Sequence, residues 1–449
     1  MLKNYDIVII GASAAGITAG LTARKYYPQK SIICITDVSK VPIPCGIPYV
    51  FGTIGDAMKN LIPVENMCKA NNIDLVNDKV IKINREFKLV LLESNESYGY
   101  QKLVIANGSN PIIPTIEGTS LENVFMIRKD PSYLTTMMKQ IDESKKIVII
   151  GGGFIGAEMA EECRKRRLEI EITIIEMQQH CLQLVYDEEF TILAEKALID
   201  QKIKLLTQEK VKKLVGHKAV EQVILESGKI VEADMVLLCI GCSANISLAQ
   251  EAGLRIGPTR GILVDSYMRT SDTDIFACGD VCEKVSFFDQ KPSNLKLASI
   301  ATAEARIAGR NLFENKRKME GVIGCFSTAL GGLAFCAAGL TESQATAKGF
   351  EVVCGVGESV NRHPGLMPGA GNMKVKLIFN KKDTALIGAE IFGAISGGEL
   401  INALSVCISQ KITAENLVTF QAATHPALTA SPIAYQLVNA AEMACVKLN

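Results

Sequence analysis

The chain has 449 residues, more than one hydrophobic core fills, so roughly two or three domains are expected. Lys+Arg and Asp+Glu balance at 48 each and 48% of residues are hydrophobic. This suits a soluble globular protein, and without a basic excess nothing points to nucleic acid. The chain enters an apolar strand almost at once, with no basic region, apolar core and cleavage site of a secretory signal. A cytoplasmic protein is expected, in which fourteen cysteines mean thiol chemistry more than a disulfide framework.

The first predicted unit is the strand at residues 5–10, the turn Gly11-Ala12-Ser13-Ala14-Ala15-Gly16 and a helix-like run to Tyr27. Gly11 permits a tight turn, Gly16 permits close helix–sheet packing, and the open amides at the helix start suit a pyrophosphate. Ser13 replaces the usual middle glycine. The next apolar strand, residues 31–36, ends at Asp37, about twenty residues past Gly16, where a carboxylate can accept hydrogen bonds from a ribose.

Shortly afterwards comes Pro44-Cys45-Gly46-Ile47-Pro48-Tyr49. Gly46-Ile47-Pro48 reads as a first helical turn, because proline is tolerated where its missing N–H needs no partner. That puts the Cys45 sulfur at a helix N-terminus, where amide dipoles favour thiolate.

The second glycine unit is cleaner. Residues 146–150 form a strand, Gly151-Gly152-Gly153-Phe154-Ile155-Gly156 supplies all three glycines, and residues 157–160 continue as helix. The following strand ends at Glu176, again about twenty residues on. An acid there favours NADH, since it binds a free 2′-hydroxyl and repels a 2′-phosphate; NADPH stays open. The basic run at residues 164–167 reads as a solvated helix end. Two such units imply two dinucleotides.

Further along, Cys239-Ile240-Gly241-Cys242 has C-x-x-C spacing, and Cys278 and Cys282 bracket Gly279-Asp280. The first pair closes a strand, so packing and turn roles are expected for all four, with a zinc or iron–sulfur site as the lesser alternative. Residues 301–313 are alanine-rich and helical in pattern. The stretch 321–340 carries no charge over the length of a membrane span. Its glycines read instead as two buried strands around Gly331-Gly332, so no membrane span is expected. Residues 373–379 and 386–392 form a hairpin around Asn380-Lys381-Lys382-Asp383.

The two glycine units, the run at Cys45, Ala106-Asn107-Gly108-Ser109 after an apolar strand, and Ile275-Phe276-Ala277-Cys278-Gly279-Asp280 occur in a telling order. The chain resembles the FAD-dependent pyridine nucleotide disulfide oxidoreductases over essentially its whole length. The lone cysteine narrows the resemblance to the branch of coenzyme A disulfide reductases, NADH oxidases and polysulfide or persulfide reductases. The implied fold is α/β, with two Rossmann-like dinucleotide-binding domains plus a C-terminal α+β dimerisation domain, and so a homodimer. The expected divisions are an FAD domain at 1–111 and 244–320, an NAD(P)H domain at 112–243 and a dimerisation domain at 321–449.

By the same resemblance Gly11, Ser13, Ala14, Ala15, Gly16 and Asp37 hold the FAD adenosine and pyrophosphate. Ala106, Gly108 and Gly241 lie in further cofactor motifs, and Asp280 binds the ribitol hydroxyls. Gly151, Gly153, Ile155, Gly156 and Glu176 hold NADH, Phe154 is an aromatic gate where nicotinamide docks, and Glu158 is the carboxylate beside that ring. A core phenylalanine is an equal reading of Phe154. The motif departs from the family at Asn107 and at Ala244-Asn245. Position 50 is valine, so no second redox cysteine follows Cys45.

A lone thiol beside a flavin takes up an electron pair while held as a mixed disulfide, persulfide or sulfenic acid, and releases a small thiol or sulfide. Arg24 and Lys25 match basic positions near the coenzyme A of related enzymes, although an exposed helix end explains them too. The loop 362–369 lacks the tyrosines of that branch, which weighs against strict coenzyme A specificity. Coenzyme A remains a candidate substrate or mixed-disulfide partner. His425-Pro426 is similar to the His-Pro in which a partner subunit's histidine is acid/base catalyst; a structural loop histidine is the alternative. Three functions follow: reduction of a small disulfide, persulfide or polysulfide; oxygen reduction as an NADH oxidase; or electron transfer to a protein partner.

Overall fold

The computed structural model describes residues 3–448. They form two compact units, one of residues 3–114, 126–142 and 240–322, the other of residues 115–125, 143–239 and 323–448.

In the first unit, residues 7–10, 32–35 and 103–105 are apolar runs rich in β-branched side chains, a composition suited to parallel strands covered on both faces. They lie at the centre of a seven-stranded sheet in which Asp74–Asn77, Ile32–Thr36, Lys3–Ile10 and Ser97–Ile105 run parallel in that order. Ile275–Ala277 joins the second half of Ser97–Ile105 in parallel, and Leu89–Leu92 and Val80–Asn84 continue from its first half antiparallel. Strand side chains alternate between faces. Ile7, Ile9, Ile32 and Cys34 therefore enter one core and Val8, Ile10, Ile33 and Ile35 the other.

The first core, which includes Ala19, Ala23, Ala305 and Ala308, is closed by the helices Ala14–Tyr26 and Ala298–Asn311, which approach closely where Gly309 faces Ala19, Thr22 and Ala23. The latter helix starts at Ala298, three residues before the alanine-rich run suggested.

The second unit holds a five-stranded sheet ordered Ile203–Leu206, Glu171–Ile175, Lys146–Ile150, Met235–Leu238 and Val124–Met126, beside a three-stranded antiparallel sheet. Its C-terminal part is a five-stranded antiparallel sheet carrying the helices Gly397–Ser409 and Gln436–Leu448. The uncharged stretch supplies the strands Cys325–Leu330 and Leu333–Gly339 on either side of Gly331-Gly332. The hairpin is present as Asn372–Asn380 and Leu386–Gly393. Among the described residues no helix is long and apolar enough to cross a membrane.

Within this unit Asp187 ties the helix Glu188–Asp200 to the C-terminal sheet. Its carboxylate accepts from the Glu342 and Ser343 amides, from Ser343 Oγ at 2.7 Å and from Lys376 Nζ at 3.1 Å. Burial alone would raise the Asp187 pKa, but hydrogen bonds from Glu390, Ser343 and Lys376 and the Lys376 charge hold it well below the carboxylate range. A depressed pKa contributes stability that is present above the unfolded value and lost as pH falls through it. The melting-temperature advantage of the parent over Asp187→Asn should therefore shrink below about pH 4, read from melts of both across pH.

Candidate active site

Both glycine turns link a strand to a helix with the same backbone. Gly11 and Gly151 have φ of +100° and +106°. A Cβ on Gly16 would lie 1.8 Å from Gly11 O, and one on Gly156 would lie 1.9 Å from Gly151 O, so the protein's own packing demands both glycines. The middle position differs. Ser13 and Gly153 share extended backbone (φ −78° and −74°), which serine adopts freely, so the missing glycine leaves the first turn unchanged. A Cβ on Gly153 would meet nothing within 4 Å. Nothing in the chain requires glycine there, whereas a pyrophosphate approaching the first-turn amides of Phe154–Arg166 would. Ala14 and Ala15 begin the equivalent turn of Ala14–Tyr26.

The two acids end their strands as expected. Asp37 is exposed just past Ile32–Thr36. Glu176 follows Glu171–Ile175, and its carboxylate accepts from the amides of Gly152 at 2.6 Å and Gln178 at 2.7 Å, which pins it to the glycine turn. Most of the basic candidates are occupied elsewhere, while Lys25 is exposed. Arg24 donates to the carbonyls of Pro28, Lys30, Asn71 and Asn72, so its fork holds a helix end rather than presenting itself to a phosphate. Arg164 donates to Leu168 and Lys202 carbonyls, Arg167 to the Ser144 carbonyl, and Lys165 pairs with Glu161 and Glu162.

Asp280 follows Gly279, whose φ is +85°. One carboxylate oxygen accepts from Ser109 Oγ at 2.7 Å, with Lys129 Nζ at 3.7 Å. Gly279 itself is held from both sides: its amide donates to Glu304 Oε2 at 2.8 Å and its carbonyl accepts from Lys284 Nζ at 2.5 Å. Lys284 and Glu304 pair at 2.9 Å with side chains only 2% exposed each. The sequence reading missed this pair, because no local pattern relates a lysine to a glutamate twenty residues on. Gly108 has φ +70° and Gly241 φ +99°, and Ala106 is buried. The two departures from the family motif meet here. Asn107 Nδ2 donates to the Asn245 carbonyl and the Asn245 amide to the Gly108 carbonyl, each at 3.0 Å. Glycine turn, Asp37 and Asp280 together fit an FAD.

Cys45 lies in the first turn of a continuous helical segment of mixed pitch: a 3₁₀ turn Pro44–Gly46, an α turn Ile47–Tyr49 and a π turn Val50–Ile54. The helix begins at Pro44 rather than Gly46, since Pro44 already has the φ a first turn needs. All fourteen cysteines are thiols, and Cys45 alone is exposed. Burial pushes the Cys239 and Cys181 thiols up to about 12 and raises Cys278 and Cys282 further. Among the described residues no group of three or more His, Cys, Asp or Glu side chains could hold a metal ion.

In the second unit Phe154 stacks on Phe326, with ring centroids 5.5 Å apart at 14°, and meets Tyr186 edge-on at 6.0 Å. Glu158, one helical turn on, accepts from Thr328 Oγ1 at 2.8 Å. Burial raises its pKa to about 7; the Thr328 hydrogen bond opposes this, and Glu162 and Glu161 add to it. Phe326 and Thr328 are further residues that sequence reasoning missed, being supplied by the distant strand Cys325–Leu330.

His425 is exposed, and its Nδ1 accepts from the Ala427 amide at 3.2 Å. That pattern assigns the proton of neutral imidazole to Nε2, which makes the outward nitrogen a donor. Its loop is tied to the 362–369 loop through His363 N–H to Pro426 O and Arg362 to Leu428 O. Cys45 belongs to the first unit, whereas Phe154, Glu158 and His425 belong to the second.

Two glycine turns of one backbone, each with an acid at the end of the next strand, together with an exposed cysteine in a first helical turn, are features of a pyridine-nucleotide oxidoreductase. Residues 5–305 match the pyridine nucleotide-disulphide oxidoreductase family, and residues 327–433 its dimerisation domain. The chain belongs to this family and is an NAD(P)H-dependent FAD oxidoreductase. It is 32% identical to an NADH oxidase of Methanocaldococcus jannaschii over 98% of this chain and 99% of that one. It is 31% identical to an NAD(P)H coenzyme A polysulfide/persulfide reductase of Pyrococcus horikoshii, covering 86% and 87% of the two chains. The structure of an NAD-dependent persulfide reductase from A. fulgidus aligns with TM-score 0.89 and 29% identity, over 99% of this chain and 83% of that one.

Lys284→Met strands Glu304 in the interior, and breaking a buried pair costs about 3–5 kcal/mol. Denaturant melts should show that loss, and titration of the apoprotein should show weakened FAD binding. For Glu158, the rate of NADH-driven flavin bleaching should change across a titration near pH 7. Glu158→Gln should flatten that step, and Thr328→Val, which removes the hydrogen bond favouring carboxylate, should move it to higher pH.

Proposed function

We propose that the protein transfers an electron pair from NADH, by way of bound FAD, to Cys45, which reduces a small disulfide, persulfide or polysulfide. The observation that carries this reading is that one thiol of fourteen is exposed and stands in a first helical turn behind the first glycine unit. Glu176, fixed at the second glycine turn, supports NADH over NADPH because a 2′-phosphate would meet a carboxylate.

Bound FAD supplies a two-electron carrier between the nicotinamide and sulfur. The chain's own residues do the rest. Gly11, Ser13, Ala14, Ala15, Gly16, Asp37, Ala106, Gly108, Gly241 and Asp280 hold FAD, while Gly151, Gly153, Ile155, Gly156 and Glu176 hold the nicotinamide dinucleotide. Phe154 is the aromatic gate, and Glu158, poised near neutrality, holds or releases a proton beside the nicotinamide. Cys45 attacks a disulfide, expels one thiol and keeps the other half as a mixed disulfide; two electrons and a proton then release the second. Each turnover consumes NADH, a proton and one disulfide, and yields NAD⁺ and two thiols.

The Pyrococcus and A. fulgidus relatives support sulfur as acceptor, and the Pyrococcus relatives support a part for coenzyme A. The engaged Arg24 means that coenzyme A phosphates would find a different cation, such as exposed Lys25. The M. jannaschii relative supports the second reading, oxygen reduction with Cys45 cycling through sulfenic acid. A homodimer fits the C-terminal surface, where Leu366 and Ile433 stand 95% and 91% exposed, and His425 of each chain would then serve its partner. A reducing cytoplasm and four segments with breaks near 111, 243 and 320 complete the reading.

Cys45→Ser should keep its flavin and lose NADH-dependent disulfide and polysulfide reduction by at least about a hundredfold. Anaerobic assays with coenzyme A disulfide and polysulfide, against NADH consumption in air, decide between sulfur and oxygen. Full disulfide reduction by the serine variant would remove the thiol from the mechanism.

A further inference from the structure

The turn that carries Cys45 rests on a side chain distant in sequence. Residues 41–43 pair with residues 60–62: Ile43 N–H donates to Asn60 O at 3.0 Å, Ile62 N–H to Val41 O at 2.9 Å, and Pro42 bridges Leu61. Asn60 closes the short 3₁₀ turn Ala57–Lys59, and only 3% of it is exposed. Its side chain then reaches back to the segment that carries the cysteine. Asn60 Nδ2 donates to the Ile43 carbonyl at 2.9 Å, the same oxygen that accepts the Gly46 amide at 3.1 Å and so starts the helical turn. At the residue after the cysteine, a Cβ on Gly46 would lie 2.2 Å from Asn60 Oδ1 and 2.9 Å from Cγ. Glycine at 46 is thus explained by the amide beneath it rather than by its backbone angles, which are ordinary right-handed ones.

An amide buried to this degree is desolvated, and one hydrogen bond to a loop carbonyl returns about 1 kcal/mol, so this asparagine fixes geometry more than it adds stability. We propose that Asn60 is a positioning residue for the Cys45 thiol: its side-chain amide is the floor on which the Ile43–Gly46 turn sits, and it sets the direction in which that turn presents the cysteine. Removing the floor takes one of two donors from the Ile43 carbonyl and opens space beneath Gly46, which lets the turn tilt and weakens the favourable field of the helix start on a thiolate. The inference rests on Cys45 being the redox thiol, but its readout does not.

Reduced holoenzyme is labelled with iodoacetamide across about pH 5 to 9, the range in which thiols titrate, and each cysteine is followed by mass spectrometry. In Asn60→Ala, Cys45 labelling at neutral pH should fall about tenfold and its midpoint should move up by about one unit. Labelling of the half-buried Cys242 and Cys407, FAD content and melting temperature should stay near those of the parent. A Cys45 profile that coincides with the parent's overturns the proposal, and so does parallel acceleration at Cys242 and Cys407, which marks general loosening. If Asn60→Ala does not fold, Asn60→Ser, whose hydroxyl is too short to reach Ile43, is judged by the same profile. Disulfide reduction by Cys45→Ser is measured alongside. Its survival would sink the functional reading while leaving the labelling result to judge Asn60.

Discussion

The buried ion pair between Lys284 and Glu304 is the constraint on which the first unit turns. Two charges with side chains 2% exposed are costly to bury, and they are tolerated because each also satisfies one side of the Gly279 peptide. Gly279 is thereby fixed in a left-handed conformation, close enough to the first glycine turn that a Cβ on it would lie 2.8 Å from the Ala15 Cβ. The end of Ile275–Ala277, the start of Ala14–Tyr26 and the flank of Ala298–Asn311 are joined at one residue, and Asp280 is aimed by the same peptide. A hydrophobic pair of equal volume would fill the space but hold neither the N–H nor the C=O of that glycine.

Burial then sorts the thiols. Desolvation raises the pKa of cysteines such as Cys34, Cys163, Cys278 and Cys282, so they remain protonated and behave as small apolar side chains within the cores. Cys45 is the exception by exposure. The C-x-x-C spacing at Cys239 and Cys242 attracts attention in the sequence, yet Cys239 completes a strand end and its thiol is pushed up to about 12. Solvent access and local backbone, not spacing, set Cys45 apart among fourteen chemically identical groups.

The second unit shows the same economy with carboxylates. Asp187 and Glu390 share one buried network in which burial and the neighbouring charge keep Glu390 protonated while hydrogen bonds and Lys376 keep Asp187 ionised. Glu158 sits between these extremes, near neutrality, because burial is partly offset by one threonine hydroxyl. Three carboxyls of one unit thus take three protonation behaviours from their surroundings, and only the intermediate one is suited to exchange a proton at physiological pH.

Local pattern determined a good deal. Unbroken β-branched runs, glycines at fixed offsets and an acid at the next strand end depend on steric rules within a few residues, so both dinucleotide turns, Asp37, Glu176 and the C-terminal hairpin were legible in the chain itself. Ser13 looked like a defect and is none, since φ at that position is ordinary. What only the tertiary structure decided are the relations across long loops. Asn107 meets Asn245 across 138 positions, Phe154 and Glu158 find Phe326 and Thr328, Arg24 spends its donors on carbonyls, and Asn60 comes to lie against Ile43 and Gly46, the residues that flank Pro44-Cys45. Such contacts leave no period in a sequence, because they are made when packing brings surfaces together and desolvation forces each buried polar group to find a partner.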